Sequence, residues 1–495
     1  MKTKIHTILA MGLLGVFSAC TDLDEEPVGL LAPESFFKTH GDAEAAVLSG
    51  YGLMAREEYY GRRLTMSLQL LSDMGTIGDQ GTAASRRQLD RFIFEAGNDN
   101  IEHIWNSSYA IIGAANAAIE GIKRVEMPEA NRNALDAEAR AIRALAYSHL
   151  VQLFGDVPKI DYFIDTPEEI EAVKTISKSP AAEIYQLIIS DLESTYDALP
   201  DGYAGDVRSR ATKGSALTLL ASLHLTLGNW EKAAEYSQMV INNKGNFGYK
   251  LMADFNDLWD ATNGDMAEHV WTVDFLGQVG TSNFNVDYIS AITGVRGASM
   301  QGWSVVVASP GAYDSFKDED LRKAATFITE AAHGKNTKPW TDFQDPYVHT
   351  AKWALKPGDA QSTGARSDHN LVLFRYAEVL LIAAEALNEA NGGPTAEAYE
   401  YINEVRRRAG YTEDLAGLSQ EEFRAAVREE RRVELAFEWK RWYDLKRWDM
   451  VPEAFTGPDS FEPQANAQEF HKLLPIPQAE LSRNKNLLPQ NPGYN

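Results

Sequence analysis

Cysteine is almost missing: one thiol, Cys20, serves 495 residues. That excludes a disulfide framework and any metal site built on thiolates. Cations are short as well, with 47 Lys and Arg against 71 Asp and Glu and a formal charge of −24. Nucleic acid, whose phosphates need clustered Lys and Arg, is therefore a poor partner. A large polyanion is disfavoured by the same field unless a local basic patch overrides it. Catalytic fingerprints are missing too: no H-E-x-x-H, no P-loop and no dinucleotide-binding glycine pattern. "GASMQG" places Gly302 one position late for a nucleophile elbow. The run Asp254, Asp257, Asp260, Asp265 departs from the spacing of an EF-hand loop. No metal and no cofactor is expected. Past residue 40 no Pro/Ser-rich linker or low-complexity tract divides the chain.

What is present begins at the N-terminus. Lys2 and Lys4 precede an apolar run from Ile8 to Phe17, and Ser18-Ala19 supplies the small residues before a cleavage point. This is the pattern of a secretory signal over 1–19, too short for a membrane span. Its ending, Phe-Ser-Ala-Cys, resembles a bacterial lipobox, which makes Cys20 the expected lipidation site. Several acyl chains on one residue, at roughly 0.8 kcal/mol per buried methylene, hold a soluble domain on a membrane. Asp22, Asp24, Glu25 and Glu26 follow. They read either as a solvated tether or as the acidic export signal that resembles those of surface lipoproteins in Bacteroidota. Removal of 1–19 leaves 45 basic against 71 acidic residues.

Helical periodicity recurs at 42–58, 101–125, 133–154, 180–198, 212–227, 231–243, 373–391, 396–409 and 420–448. "GSALTLLASLHLTLGNWEKAAEYSQMVI" reads as helix, turn at Gly228-Asn229 and a second helix from Trp230. "YAEVLLIAAEALNEANGGPTAEAYEYINEVRRRAG" repeats the plan around Gly392-Gly393-Pro394. Small residues at the helix contacts give the tetratricopeptide arrangement, in which each pair needs a neighbour to bury its other face. Residues 133–154 and 180–198 are expected to form another pair. Between 245 and 372 the character changes to Gly, Asn, Asp and Thr with short β-like runs, "HVWTVDF" and "WSVVVAS", and five of the ten Trp. The fold class expected is mainly α, about four tetratricopeptide-like pairs, with a large irregular and partly β insertion packed on them. Residues 20–40 form an arm and 41–495 one domain, its scaffold at 41–244 and 373–448 and its ligand side at 245–372.

Several separated motifs carry a resemblance that runs nearly end to end. They are "EARAIRALAYSHLVQLFGDVP", "FRYAEVLLIAAEALNE", "INEVRRRAG", "REERRVELAFEWKRWYDLKRW" and the ending "LLPIPQAELSRNKNLLPQNPGY". In this order they resemble the SusD/RagB family of outer-membrane nutrient-binding lipoproteins. One departure is Glu438-Trp439 where the family usually has Glu-Gly; the indole is expected to alter local packing. The resemblance implies a cell-surface lipoprotein on the outer membrane that captures an oligo- or polysaccharide without converting it. It also implies a partner, a SusC-like TonB-dependent transporter over which the protein sits as a lid.

A sugar ring offers an apolar C–H face and a rim of hydroxyls, so a binder wants exposed Trp or Tyr rings beside Asp, Asn, Gln or Arg. Two loops combine these types. "EEYYGRRLTMSLQLLSDMGTIGDQGTAASRR" offers Tyr60 and Asp73, and "NFNVDYISAITGVRGASMQGWS" offers Tyr288, Arg296 and Trp303, with Asn283 and Asn285; Trp340 follows in "KPWTDFQDPYVH". Helical Trp105, Trp230, Trp442 and Trp448, and Trp271 in its β-like run, are expected to serve the core. Arg62-Arg63 and Arg86-Arg87 bracket the first loop and would suit an anionic glycan. Two other classes compete. A glycoside hydrolase needs two carboxylates at fixed separation, and Glu429-Glu430 reads instead as a solvated helix face. A plain tetratricopeptide scaffold for protein partners would share the helix pairs but not need five Trp in the insertion, and it gains if those indoles are buried.

Overall fold

The computed structural model describes residues 36–260, 265–275, 287–354 and 367–494. Cys20, the segment 1–19, the acidic tether, Asn283 and Asn285 lie outside the described residues.

Eight helices form four antiparallel-type pairs: α1 (His40–Met54) with α2 (Asp99–Arg124), α3 (Glu129–Phe154) with α4 (Ala181–Glu193), α5 (Lys213–Thr226) with α6 (Trp230–Asn242), and α7 (Tyr376–Ala390) with α8 (Ala396–Arg408). Successive pairs stack through α2 on α3, α4 on α5 and α6 on α7, so each helix face that a lone pair would expose is covered. Local chemistry sets the ends. Thr39 with Asp42 and Thr212 with Ser215 make capping boxes, and Asn98 caps α2 through the amides of Asn100 and Ile101. Gly228 and Gly392, at φ 70° and 67°, make the pair turns, a conformation that costs a Cβ-bearing residue more. Among the described residues no helix is long and apolar enough to cross a membrane.

The last block, expected as one helix over 420–448, is two: α9 (Gln420–Glu434) and α10 (Arg441–Arg447). Phe437 and Trp439 between them sit at φ 61°. The left-handed turn at 439 explains why glycine suits the position. Here an indole holds it by packing on Trp353, centroids 4.8 Å apart, and by donating Nε1–H to the Val372 carbonyl at 3.3 Å.

Among the described residues eight short strands lie outside the helix pairs: β1 (Gly75–Ile77), β2 (His269–Val273), β3 (Val306–Ala308), β4 (Phe327–Ile328), β5 (Glu330–His333), β6 (Asn336–Pro339), β7 (His349–Thr350) and β8 (Leu371–Arg375). They pair antiparallel as β1·β3, β2·β8, β4·β7 and β5·β6. β2 and β8 are buried along their whole length, and Trp271 within β2 is a core residue, as are Trp105, Trp442 and Trp448. Trp230 is half-buried against the same core.

An ionic core joins this region to the scaffold. Arg375 at the end of β8 meets Glu268 at 2.8 Å, Glu438 at 2.7 Å and Glu434. Arg322 meets Glu434 at 2.8 Å, Glu430 at 2.5 Å and Asp320 at 2.7 Å, while Arg408 reaches Glu268 and Glu434. Lys352 closes on Glu438 at 2.6 Å. Glu430 is therefore not part of a solvated face: it is buried between Arg322 and Arg406. Its neighbour Glu429 is the exposed one. Burial alone would raise the Glu434 carboxyl, yet Arg375, Arg408 and Arg322 hold it well below the usual range. Each carboxylate here has cationic partners, which is the condition for keeping charge inside.

Candidate ligand-binding face

The frame is the β1·β3 pair and the loops that leave it. Asp79 donates its amide to the Ser304 carbonyl at 2.7 Å, which carries the pairing two residues past Ile77↔Val306. Upstream of β3 the chain crosses itself where Arg296 bridges Gly302 in parallel. A Cβ on Gly302 would stand 1.9 Å from the Gly294 carbonyl carbon, so only glycine permits this crossing. Gln301 and Ser304 beside it take φ 56° and 49°, a strained pairing for non-glycine residues that recurs at functional loops.

Ser304 locks the crossing. Its Oγ accepts the Arg296 amide at 2.9 Å and lies 2.8 Å from His349 Nε2. His349 Nδ1 lies 2.9 Å from the Tyr347 carbonyl, so Nδ1 carries the proton and Nε2 accepts from the serine hydroxyl. Burial pushes this histidine down to about 4, and it stays neutral.

Four of the six sequence candidates reach this face. Tyr288 and Trp303 lie with ring centroids 5.7 Å apart and planes 31° from parallel, both half-buried. The Arg62 guanidinium sits 5.5 Å from the Tyr288 ring centre, an attractive arrangement for a cation. Arg296, 41 % exposed, pairs with Asp79 at 2.7 Å. Trp340 is half-buried after the β5–β6 hairpin and packs against the apolar cluster that includes Val295 and Ala298, on either side of Arg296 in the chain.

The other two candidates are corrected. Tyr60 is 2 % exposed and its hydroxyl lies 2.7 Å from His149 Nε2, so no ring face remains for a sugar. Asp73 is buried and takes both Arg441 donors, at 2.8 and 2.7 Å. Both residues hold the helices under the face. Of the five insertion indoles, Trp259, Trp271 and Trp353 are core and only Trp303 and Trp340 reach the surface.

Sequence reading missed an acidic group beside the frame. Thr76 in β1 donates its hydroxyl to Glu462 at 2.8 Å, and Asp90 accepts the Ile77 amide at 3.2 Å. Burial raises Glu462 to about 7 and Asp90 to about 6. Burial and then the Asp79 charge raise Asp345 against the pull of Arg296. Glu462 lies 386 positions from Thr76, a separation at which no local pattern can signal a contact. Among the described residues no group of three or more His, Cys, Asp or Glu could hold a metal ion. Asp265 instead accepts the Arg208 amide at 3.2 Å. The arrangement offers ring faces flanked by hydrogen-bonding charges, which suits a polyhydroxylated ligand.

Known proteins share the sequence and the fold. The SusD family model matches residues 323–494, and a model described as "Starch-binding associating with outer membrane" matches 43–225. SusD-like protein P2 of Formosa agariphila is 42 % identical over 511 residues, covering 99 % of this chain and all of that one. The starch-binding protein SusD of Bacteroides thetaiotaomicron is 25 % identical over 430 residues, 72 % of each chain. A crystal structure of a SusD homolog from Bacteroides thetaiotaomicron superposes with a TM-score of 0.82 at 25 % identity, over 93 % of this chain and 98 % of that one. A laminarin-binding SusD-like protein does so with 0.78 at 27 % identity, over 92 % and 100 %.

Proposed function

The chain belongs to the SusD family, and on that premise we propose that it captures an oligo- or polysaccharide at the cell surface and passes it to a SusC-like TonB-dependent transporter. The observation that carries this reading is the Tyr288–Trp303 pair, two half-exposed rings flanked by Arg296 and Asp79. Ring faces bind the apolar side of a sugar while the charged groups reach its hydroxyls. Relatives named for starch and for laminarin support the same ligand class. The lipid anchor belongs to Cys20, and the outer membrane is the site named in the matched family description. The protein binds without converting its ligand, and Trp340 with Arg296 completes the surface.

A protein-binding tetratricopeptide scaffold draws support from the burial of Trp259, Trp271 and Trp353. It leaves the exposed pair without a role.

Native affinity electrophoresis of the intact protein against starch, laminarin, fructan, mannan, xylan and pectin tests the reading. Retardation on one polymer that is lost in Trp303→Ala supports it. Retardation unchanged in Trp303→Ala and Trp340→Ala moves the site elsewhere, and release of reducing ends from any polymer turns the protein into an enzyme. Co-purification with an outer-membrane barrel from native membranes tests the transporter.

A further inference from the structure

Most arginines packed into this chain meet at least one carboxylate, among them Arg322, Arg375, Arg431, Arg441 and Arg447, and the buried Arg208 uses the Phe247 and Gly248 carbonyls instead. The half-buried Arg86 has neither. Among the described residues its partner is the Thr82 hydroxyl, 3.0 Å from Nη1, and its Nε is buried with no acceptor. The charges that depress it, after burial itself, are Arg62 and Arg63, so three guanidinium groups share one locality; Asp99 and Glu57 oppose them, and Arg86 falls to about 10.

Packing agrees with this. Asn98, the cap of α2, donates to the Ser85 carbonyl at 2.9 Å and so binds the Arg86 segment to the start of that helix. Arg63 reaches the same helix start, donating to Asp99 (3.0 Å) and to the Asn100 side-chain Oδ1 (2.6 Å). Arg62 pairs with Glu57. Among the charges that act most strongly on Arg86, Arg62 and Arg63 stand against the carboxylates of Asp99 and Glu57. The unsatisfied side-chain atoms of these residues are all donors: Nε of Arg62, Arg63 and Arg86, and Nδ2 of the fully buried Asn100. Buried donors without acceptors are costly and call for an acceptor-rich partner. The positive end of the long α2 helix adds to the same field. Arg62 and Arg63 keep 14 % and 16 % of their side chains in solvent, so the group is reachable.

Resting on the glycan-binding reading above, we propose that Arg62, Arg63 and Arg86 form an anion subsite at the end of the Tyr288–Trp303 platform, and that the glycan taken carries a sulfate ester or a uronate carboxylate. The link is Arg62, whose guanidinium lies over the Tyr288 ring. A sugar seated on the rings places an anionic substituent beside the arginines. Guanidinium forks suit both oxyanions.

The test compares a neutral polysaccharide, its chemically sulfated form and a polyuronate at equal ionic strength, with inorganic sulfate alone as a further probe. Wild type is set against Arg86→Gln and Arg86→Lys. The expected result is binding at least about tenfold tighter for one charged polymer than for the neutral one, erased in Arg86→Gln and partly kept in Arg86→Lys. The preference weakens as salt rises. Preference for the sulfated polymer alone assigns sulfate, and for the polyuronate alone, carboxylate. Without ligand Arg86→Gln melts at or above the wild-type temperature, because it removes an uncompensated cation; a clear fall makes Arg86 a scaffold residue and overturns the proposal. Equal binding of neutral and charged polymers, unchanged in Arg86→Gln, overturns the subsite and leaves the glycan reading intact. If no polymer binds but inorganic sulfate raises the melting point of wild type and not of Arg86→Gln, the subsite stands and the glycan reading fails. No response to any probe overturns both.

Discussion

The Tyr288 and Trp303 rings lie 5.7 Å apart and 31° from parallel, and the backbone crossing beneath them fixes that geometry. Trp303 holds its place by donating its amide to the Ala291 carbonyl at 2.6 Å. Trp303→Ala therefore leaves the loop in place and removes one ring. The expected outcome is glycan binding weakened at least about tenfold, with a stability loss near 2 kcal/mol, below the ~3–5 kcal/mol of a fully buried aromatic. Isothermal titration and urea unfolding check the two numbers. Trp271→Ala, in the core of β2, is the contrast: it costs the full amount. A Trp303→Ala protein that binds as wild type does removes this platform from the ligand site.

Gly302 is tested by one methyl. Its Cβ would lie 1.9 Å from the Gly294 carbonyl carbon and 2.0 Å from its oxygen. Backbone on both sides blocks relief by a rotamer change, so Gly302→Ala must separate the two strands of chain. The expected effect is a loss of about 2–4 kcal/mol together with loss of ligand binding, because Arg296 and Trp303 both hang on the crossing. Gly334→Ala, at φ 64° with open space around the Cβ, carries only the smaller conformational cost. Equal melting temperatures for the two variants would sink the argument.

The helix pairs were legible because their signals are local. Gly228-Asn229 and Gly392-Gly393-Pro394 mark the turns, and the apolar spacing on either side gives the helices to within a few residues. The break in 420–448 was not legible, since it depends on Phe437 and Trp439 adopting left-handed backbone against Trp353, some eighty positions away. Site residues divided by the same principle. Trp303 and Arg296 stand among Gly, Gln and Ser, which announces a surface loop. Tyr60 and Asp73 stand in an equally Gly- and Asp-rich stretch but are claimed by His149 and Arg441 from distant helices. Composition cannot separate the two cases, because burial is decided by what the rest of the chain brings.

Glu434 is the hub of the ionic core, meeting Arg322, Arg375 and Arg408 at zero exposure. Removing one partner of a buried pair costs about 3–5 kcal/mol, because the remaining charge stays inside uncompensated. Glu434→Ala strands three guanidinium groups and is expected to reach the top of that range or to prevent folding at 37 °C. Glu413→Ala, exposed in the loop between α8 and α9, should cost under about 0.5 kcal/mol. Chemical denaturation of the two variants measures the difference, and a loss below about 1 kcal/mol in Glu434→Ala would remove the network from the account of stability.

The acidic group beside β1 gives a pH dependence of definite sign. Burial raises Glu462 from 4.5 to about 7 and Asp90 from 3.8 to about 6. The folded protein thus keeps protons that the unfolded chain releases, and the stability these two groups contribute on the acid side is lost as pH rises through their folded values. Glu434, Glu438 and Asp444 work the other way: their carboxyls are held low in the fold, so their contribution is present above the unfolded value and disappears on acidification. Lys446, pushed down to about 7 by burial, adds a rise on the alkaline side. A whole-protein curve mixes all of these, so the informative quantity is the melting temperature of Glu462→Gln minus that of wild type. The amide resembles the protonated carboxyl and still accepts the Thr76 hydroxyl. The difference is expected near zero at about pH 4, growing between the unfolded value of 4.5 and the folded value of about 7, and positive and level by about pH 8. A difference that stays flat from pH 5 to 8 would mean that Glu462 is ionised throughout, and that burial and the Asp90 charge do not raise its pKa against the Thr76 hydrogen bond.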